Sequence, residues 1–132
     1  MREALAALAH HDLVFVHVES PDEAGHQGDA PAKVGAIENV DALMVPQVLE
    51  AAAGGGAAGV ALSEGLRLLV LPDHPTPLEL KTHVAEPVPF LMWGTGCAAN
   101  GAAVYTEKEA RATGFAVAPG HLLMSRFLGQ GA

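Results

Sequence analysis

This chain of 132 residues has few basic residues, few aromatic residues and a single cysteine. Seven Lys and Arg stand against fifteen Asp and Glu, and the net charge of −8 makes nucleic acid a poor partner because it repels phosphate backbones. The lone Cys97 excludes an internal disulfide framework. No apolar run reaches the roughly 18 residues of a membrane helix, so we expect no membrane contact and a cytoplasmic location.

Half of the residues are hydrophobic, which is enough for the core of a single α/β domain spanning residues 1–132. Apolar runs followed by polar clusters predict three strands, and their near-continuous apolarity is typical of a mainly parallel sheet covered on both faces. The predicted strands are DLVFVHVE (12–19), LRLLVLP (66–72) and VPFLMWG (88–94), with a possible short edge strand at FAVAP (115–119).

Helical spacing predicts a short helix over residues 2–10 and a longer one over 32–53, which Pro46 should kink or divide in two. The apolar face of the longer helix comprises Val34, Ile37, Val40, Met44 and Val48. Thr106 followed by Glu109 is a capping-box pattern that opens a third helix. A final helix, PGHLLMSRFLG, should turn Leu122, Leu123, Met124, Phe127 and Leu128 inward.

Metal-ligating side chains follow two of the predicted strands. Asp22 and His26 come after the first strand, and Asp73 and His74 come after the second, with His83 nine residues further on. Ligands of α/β proteins gather beyond the carboxyl ends of strands, and imidazole nitrogen together with carboxylate oxygen suits manganese, zinc or cobalt. Each pair taken alone is more typical of a solvated turn or a helix cap, and only their joint placement after successive predicted strands favours a metal site, so both interpretations stay open.

Three stretches together carry a resemblance to a known family: SPDEAGHQGDAPAKVGAIENVD, LPDHPTPLELKTHVAEPVPFLMWG and GHLLMSRFLG. They resemble the C-terminal part of archaeal-type cofactor-independent phosphoglycerate mutases, which belong to the alkaline phosphatase superfamily. The resemblance implies a partial three-layer sandwich with a mainly parallel sheet, and phosphoryl transfer between 3- and 2-phosphoglycerate in glycolysis.

The same resemblance implies two divalent ions, commonly manganese or zinc. By resemblance, Asp22, His26 and His83 bind one ion, and Asp73 with His74 binds the second. Glu23, Asp29 and Lys33 lie within the motif and are expected to support the ligands or to start a helix. Lys81 is expected to be a solvated lysine rather than a phosphate contact.

The sequence departs from the family in lacking the early Asp, the serine or threonine nucleophile beside it, and the basic residues that hold the substrate. No catalytic residue is therefore assigned, one ion site is complete, and the chain is expected to correspond to a C-terminal segment that is inactive alone. A stand-alone metal-binding or interaction domain and a weak metal-dependent phosphohydrolase are the alternatives. A partial sheet would expose a strand edge, so we expect self-association or a partner chain.

Overall fold

The structure is a computed structural model and describes residues 1–54 and 65–129. The described elements are, in chain order, α1 (Arg2–Ala7), α2 (Ser20–Gln27), α3 (Ala30–Leu43), α4 (Val45–Ala52), β1 (Arg67–Val70), β2 (Leu91–Gly94), α5 (Glu107–Ala112) and α6 (Leu122–Phe127). They belong to two compact units. Unit 1 comprises Met1–Gly65 and Thr76–Ala85, and unit 2 comprises Leu66–Pro75 and Glu86–Ala132. The single domain expected from the sequence stays a prediction.

Unit 1 is helical, and local capping fixes the order of its helices. Gly28 ends α2 with a φ of 72°, a conformation that glycine adopts without a steric penalty. The next residue, Asp29, begins α3, and its side chain accepts a hydrogen bond from the backbone N–H of Ala32 at 2.9 Å. The expected role of Asp29 at a helix start is thus confirmed. This tight connection packs α2 against α3.

The long helix predicted over residues 32–53 is divided in two, as Pro46 suggested. Helices α3 and α4 meet at Met44, and Pro46 lies in the first turn of α4, where its missing N–H needs no partner. The predicted apolar face is only partly buried, because Val48 is 5% exposed whereas Val34 and Ile37 are each 54% exposed. Among the described residues of unit 1, the buried apolar side chains are those of Leu5, Ala24, Val48 and Ala51.

Unit 2 contains a two-stranded sheet. Strands β1 and β2 pair antiparallel, with Arg67 opposite Gly94 and Val70 opposite Leu91. The guanidinium of Arg67 donates to the carbonyls of Thr95, at 2.8 Å, and Phe127, at 2.7 Å, and so ties the sheet to the end of α6. The capping pattern is confirmed at α5, where the Thr106 hydroxyl accepts from the backbone N–H of Glu109.

The mainly parallel sheet is not found, since the two strands within residues 1–54 and 65–129 are antiparallel. The predicted strand at 12–19 is wrong for the described chain, because these residues form no strand and the sheet of the described residues consists of β1 and β2. Most of its apolar side chains are exposed, Phe15 by 80%. The described residues 115–119 form no edge strand either, and α6 buries Leu123 and Phe127 but leaves three of its predicted inward residues exposed, Leu122, Met124 and Leu128.

None of the helices in the described ranges combines the length and the apolar character that crossing a membrane requires.

Candidate metal centre

Helix α2 places two of the predicted ligands on one face. Asp22 and His26 are four residues apart, so one turn of helix brings their side chains together. The sequence analysis predicted no helix here and left a solvated turn, a helix cap and a metal site as alternatives, although Pro21 and Gly28 are both compatible with a helix at these positions. Pro21 lies in the first helical turn, and Gly28 lies just past the end of the helix.

A third predicted ligand reaches the same place from the other segment of unit 1. Nε2 of His83 lies 3.0 Å from Nε2 of His26 and 3.5 Å from Oδ1 of Asp22. Nε2 of His26 lies 3.3 Å from Oδ2 of Asp22. Two segments separated by more than fifty residues of chain therefore converge, and we refer to Asp22, His26 and His83 as the unit 1 cluster.

The orientation of His26 is set by the backbone of Lys81. Nδ1 of His26 lies 2.9 Å from the Lys81 carbonyl oxygen, which can only accept, so Nδ1 carries the proton in this contact. The lone pair of the neutral ring is then at Nε2, the atom that faces Asp22 and His83. Lys81 has a φ of 54°, which is uncommon for a residue with a side chain and which belongs to the turn that follows Pro77.

The donor set fits a divalent ion in chemistry and in spacing. Two imidazole nitrogens and a carboxylate are ligands that zinc and manganese accept. Metal–ligand bonds of about 2.0–2.2 Å place neighbouring ligand atoms roughly 3 to 3.5 Å apart. The two imidazole nitrogens lie 3.0 Å apart, and each lies 3.3 or 3.5 Å from a different oxygen of the Asp22 carboxylate. All three side chains keep access to solvent, Asp22 least, so an ion could enter and leave.

Thr76 was not predicted, and it adjoins the unit 1 cluster. Its hydroxyl donates to Oδ1 of Asp22, and its carbonyl accepts from Nζ of Lys33 at 2.6 Å. The sequence offered a signal only in that Thr76 lies within the stretch LPDHPTPLEL, which carries the family resemblance, since a threonine in a loop is ordinarily solvated. Of the other motif residues, Glu23 is exposed in the first turn of α2, and Lys33 supports Thr76.

Asp73 and His74 form a pair in unit 2. Nε2 of His74 lies 3.2 Å from Oδ2 of Asp73, and the backbone N–H of His74 donates to Oδ1 of the same carboxylate at 3.0 Å. The carboxylate is exposed, and its imidazole neighbour is partly buried. The pair has the donor types expected of it, and its assignment to a second ion stays a prediction.

The chain matches the metalloenzyme superfamily over residues 1–128. It is 44% identical over 126 residues to a probable 2,3-bisphosphoglycerate-independent phosphoglycerate mutase of Geobacter sulfurreducens, an alignment that covers 95% of this chain and 30% of the relative. It is 43% identical over 124 residues to 2,3-bisphosphoglycerate-independent phosphoglycerate mutase 2 of Methanothermobacter thermautotrophicus, covering 93% of this chain and 28% of the relative.

A third relative, the 2,3-bisphosphoglycerate-independent phosphoglycerate mutase of Methanosarcina acetivorans, is 44% identical over 106 residues, which are 80% of this chain and 25% of that protein. No solved structure is significantly similar to the chain. The chain thus spans about a third or less of the length of these relatives. Since the superfamily match extends over nearly every residue, the chain belongs to the metalloenzyme superfamily.

Proposed function

We propose that this chain provides metal-binding residues of a 2,3-bisphosphoglycerate-independent phosphoglycerate mutase. Asp22, His26 and His83 hold one divalent ion, manganese or zinc, and the substrate is a phosphorylated small molecule, 3- or 2-phosphoglycerate. Membership of a metalloenzyme superfamily implies a divalent metal, and the similar mutases supply the reaction.

The observation that carries the proposal is the convergence within unit 1. Helix α2 and the 76–85 segment lie far apart in sequence, yet they bring one carboxylate and two imidazole nitrogens within 3.5 Å of one another. A solvated turn or a helix cap would account for Asp22 and His26, which are neighbours on one helix. It would not account for His83, whose ring also packs against that of His26 with centroids 4.9 Å apart.

The residues of the cluster have distinct tasks. His26 offers Nε2 because its Nδ1–H is held by the Lys81 carbonyl, and Asp22 offers negative charge that offsets part of the charge of a cation. When bound, a divalent ion supplies Lewis-acid stabilisation of the negative charge on a phosphoryl group. The acidic balance of the chain, −8, favours cations over free phosphate, so it suits a protein that meets its phosphorylated substrate through metal.

The finer architecture also belongs to the proposal. Asp73 and His74 contribute to a second ion whose remaining ligands, with the nucleophile, come from outside this sequence. Residues 12–19 become a strand of a mainly parallel, alkaline-phosphatase-like sheet when a neighbouring strand is supplied. The chain alone is then inactive as a mutase, and it works in the cytoplasm.

Metal stoichiometry tests the proposal. The purified protein is equilibrated with Mn²⁺ or Zn²⁺, passed through a desalting column and analysed by inductively coupled plasma mass spectrometry, with affinities from competition against a chromophoric chelator. We expect at least one tightly held ion in the unaltered chain. His83→Ala should weaken it by at least about tenfold, because even partners of metal ligands contribute that much.

His11→Ala is the matched control, since His11 is an exposed histidine of the same unit. It should leave the metal content and the affinity unchanged. Equal metal content in the His83→Ala protein, the His11→Ala protein and the unaltered chain would refute the ligand assignment. Turnover assays on the same samples separate the alternatives: we expect none with 3-phosphoglycerate, and metal-dependent hydrolysis of p-nitrophenyl phosphate would instead favour a phosphohydrolase.

A further inference from the structure

Thr76 occupies an unusual position beside the unit 1 cluster. Among the residues that the structure describes, it is the only polar one that is buried, with 4% of its surface exposed. A buried hydroxyl and a buried carbonyl both need hydrogen-bond partners. The partners here are Asp22 for the hydroxyl and the ammonium of Lys33 for the carbonyl.

The hydroxyl of Thr76 constrains the carboxylate that would bind metal. The terminal torsion of an aspartate is broad, so a carboxylate plane is free to rotate unless one oxygen is held. The hydrogen bond from Thr76 reaches Oδ1 of Asp22, while Oδ2 lies 3.3 Å from Nε2 of His26. With Oδ1 held by Thr76, the plane of the Asp22 carboxylate is fixed. In that orientation Oδ1 faces Nε2 of His83 and Oδ2 faces Nε2 of His26.

Two further residues hold Thr76 itself. Nζ of Lys33, on α3, donates to the Thr76 carbonyl at 2.6 Å, and hydrogen bonds from a charged donor are short and strong. Gly25, on α2, lies so close that a Cβ atom there would be 2.8 Å from the same carbonyl oxygen and 3.0 Å from Cγ2 of Thr76. The glycine thus lets the 76–85 segment approach the helix face that carries Asp22.

We propose that Thr76 is a positioning residue for Asp22, and that Lys33 and Gly25 act by keeping Thr76 in place. The inference rests on the proposed function, because it assigns a role towards the ion that Asp22, His26 and His83 would hold. It differs from that proposal in concerning a residue that would not touch the metal. It also gives Lys33 a specific supporting task, which is to hold the Thr76 carbonyl.

The test compares Thr76→Val, which keeps the shape and removes the hydroxyl, with Thr76→Ser, which keeps the hydroxyl. Chelator competition with Mn²⁺ and Zn²⁺ gives the dissociation constants, and the visible spectrum of the Co²⁺-loaded protein reports on the ligand arrangement. We expect Thr76→Val to weaken binding by about 10- to 100-fold and to alter the Co²⁺ bands, as the loss of a partner to a metal ligand does elsewhere. Thr76→Ser should restore both.

Thr82→Val is the matched control, since Thr82 is an exposed threonine of the same segment, and its affinity should not change. If Thr76→Val does not fold, Lys33→Met replaces it, because it removes the donor to the Thr76 carbonyl while keeping a long side chain. Affinity and Co²⁺ bands that are unchanged in the folded variant would overturn the inference and leave the proposed metal site standing. Failure of the unaltered chain to bind any of the three ions would instead overturn the proposed function.

Discussion

Replacing Gly25 by alanine tests whether the close approach of helix α2 and the Thr76 segment is real. An alanine at this position would place its Cβ 2.8 Å from the Thr76 carbonyl oxygen and 2.9 Å from Nζ of Lys33. The ammonium is the end of a flexible side chain and can move, whereas the carbonyl belongs to the backbone and can yield only if the segment shifts. Overpacking of this kind costs about 1–3 kcal/mol.

An opposing effect has to be subtracted. Alanine is favoured over glycine in the interior of a helix by about 0.5–1 kcal/mol. The measured loss of stability in Gly25→Ala would therefore be smaller than the steric cost itself. Gly35, in the interior of α3, supplies the correction, because a Cβ there would meet nothing within 4 Å. Gly35→Ala should therefore raise the free energy of unfolding by about 0.5–1 kcal/mol, while Gly25→Ala should lie about 1–3 kcal/mol below it.

Urea unfolding followed by circular dichroism measures both variants against the unaltered chain, with the m-value checked for constancy. Gly25→Ala should also weaken metal binding, since a displaced Thr76 no longer holds Asp22. Equal stabilisation by the two alanines would refute the packing described for Gly25. It would show that the segment and the helix are further apart than the structure places them.

Two other predictions concern the remaining surfaces. Partial burial, and to a smaller extent the nearby carboxylate of Glu107, raise the pKa of Tyr105 to about 12. The pKa of a tyrosine in the unfolded chain is about 10, so the folded state favours the neutral phenol. The contribution of Tyr105 to stability should be complete below about pH 10 and lost as the pH rises towards 12. Absorbance at 295 nm follows the ionisation of this one tyrosine directly. Tyr105→Phe should remove that titration and flatten the dependence of the free energy of unfolding on pH between about 10 and 12. A titration midpoint near 10 in the folded protein would contradict the assignment. The exposed apolar side chains of residues 13–18, with Phe15 at 80%, should drive association of the chain with a second copy. Light scattering at rising concentration should give a mass above 13.5 kDa, and Phe15→Glu should reduce it; a clean monomer at high concentration would count against this expectation.

The features that the sequence predicted correctly are those with local causes. The division of the long helix follows from the missing N–H of Pro46, and the start of α5 follows from the side chain of Thr106. The convergence of Asp22, His26 and His83 came from the family resemblance and not from spacing. Spacing alone could not tell a cluster from three solvated groups.

The failures have causes that no local window contains. A strand exists only when its backbone has a neighbour to pair with, so the composition of residues 12–19 predicts a strand whether or not a partner is there. Helix α2 was not predicted, because eight residues that include Pro21 and Gly25 show no apolar helical spacing, although Pro21 suits the first turn and Gly25 permits the close contact with Thr76. The role of Thr76 depends on burial, which a single polar residue between prolines does not reveal.

The acceptor that orients His26 is the backbone carbonyl of Lys81, so the residue at position 81 can vary in evolution without loss of the acceptor. Exchanging the side chain at position 81 does not delete that oxygen, so the contact should survive any substitution that tolerates the left-handed backbone there. Glycine and asparagine meet that condition easily, and a β-branched residue does not. What has to be preserved at position 81 is therefore the direction of the backbone carbonyl and not the side chain. Relatives with different residues at this position can keep the same orientation of the His26 ring.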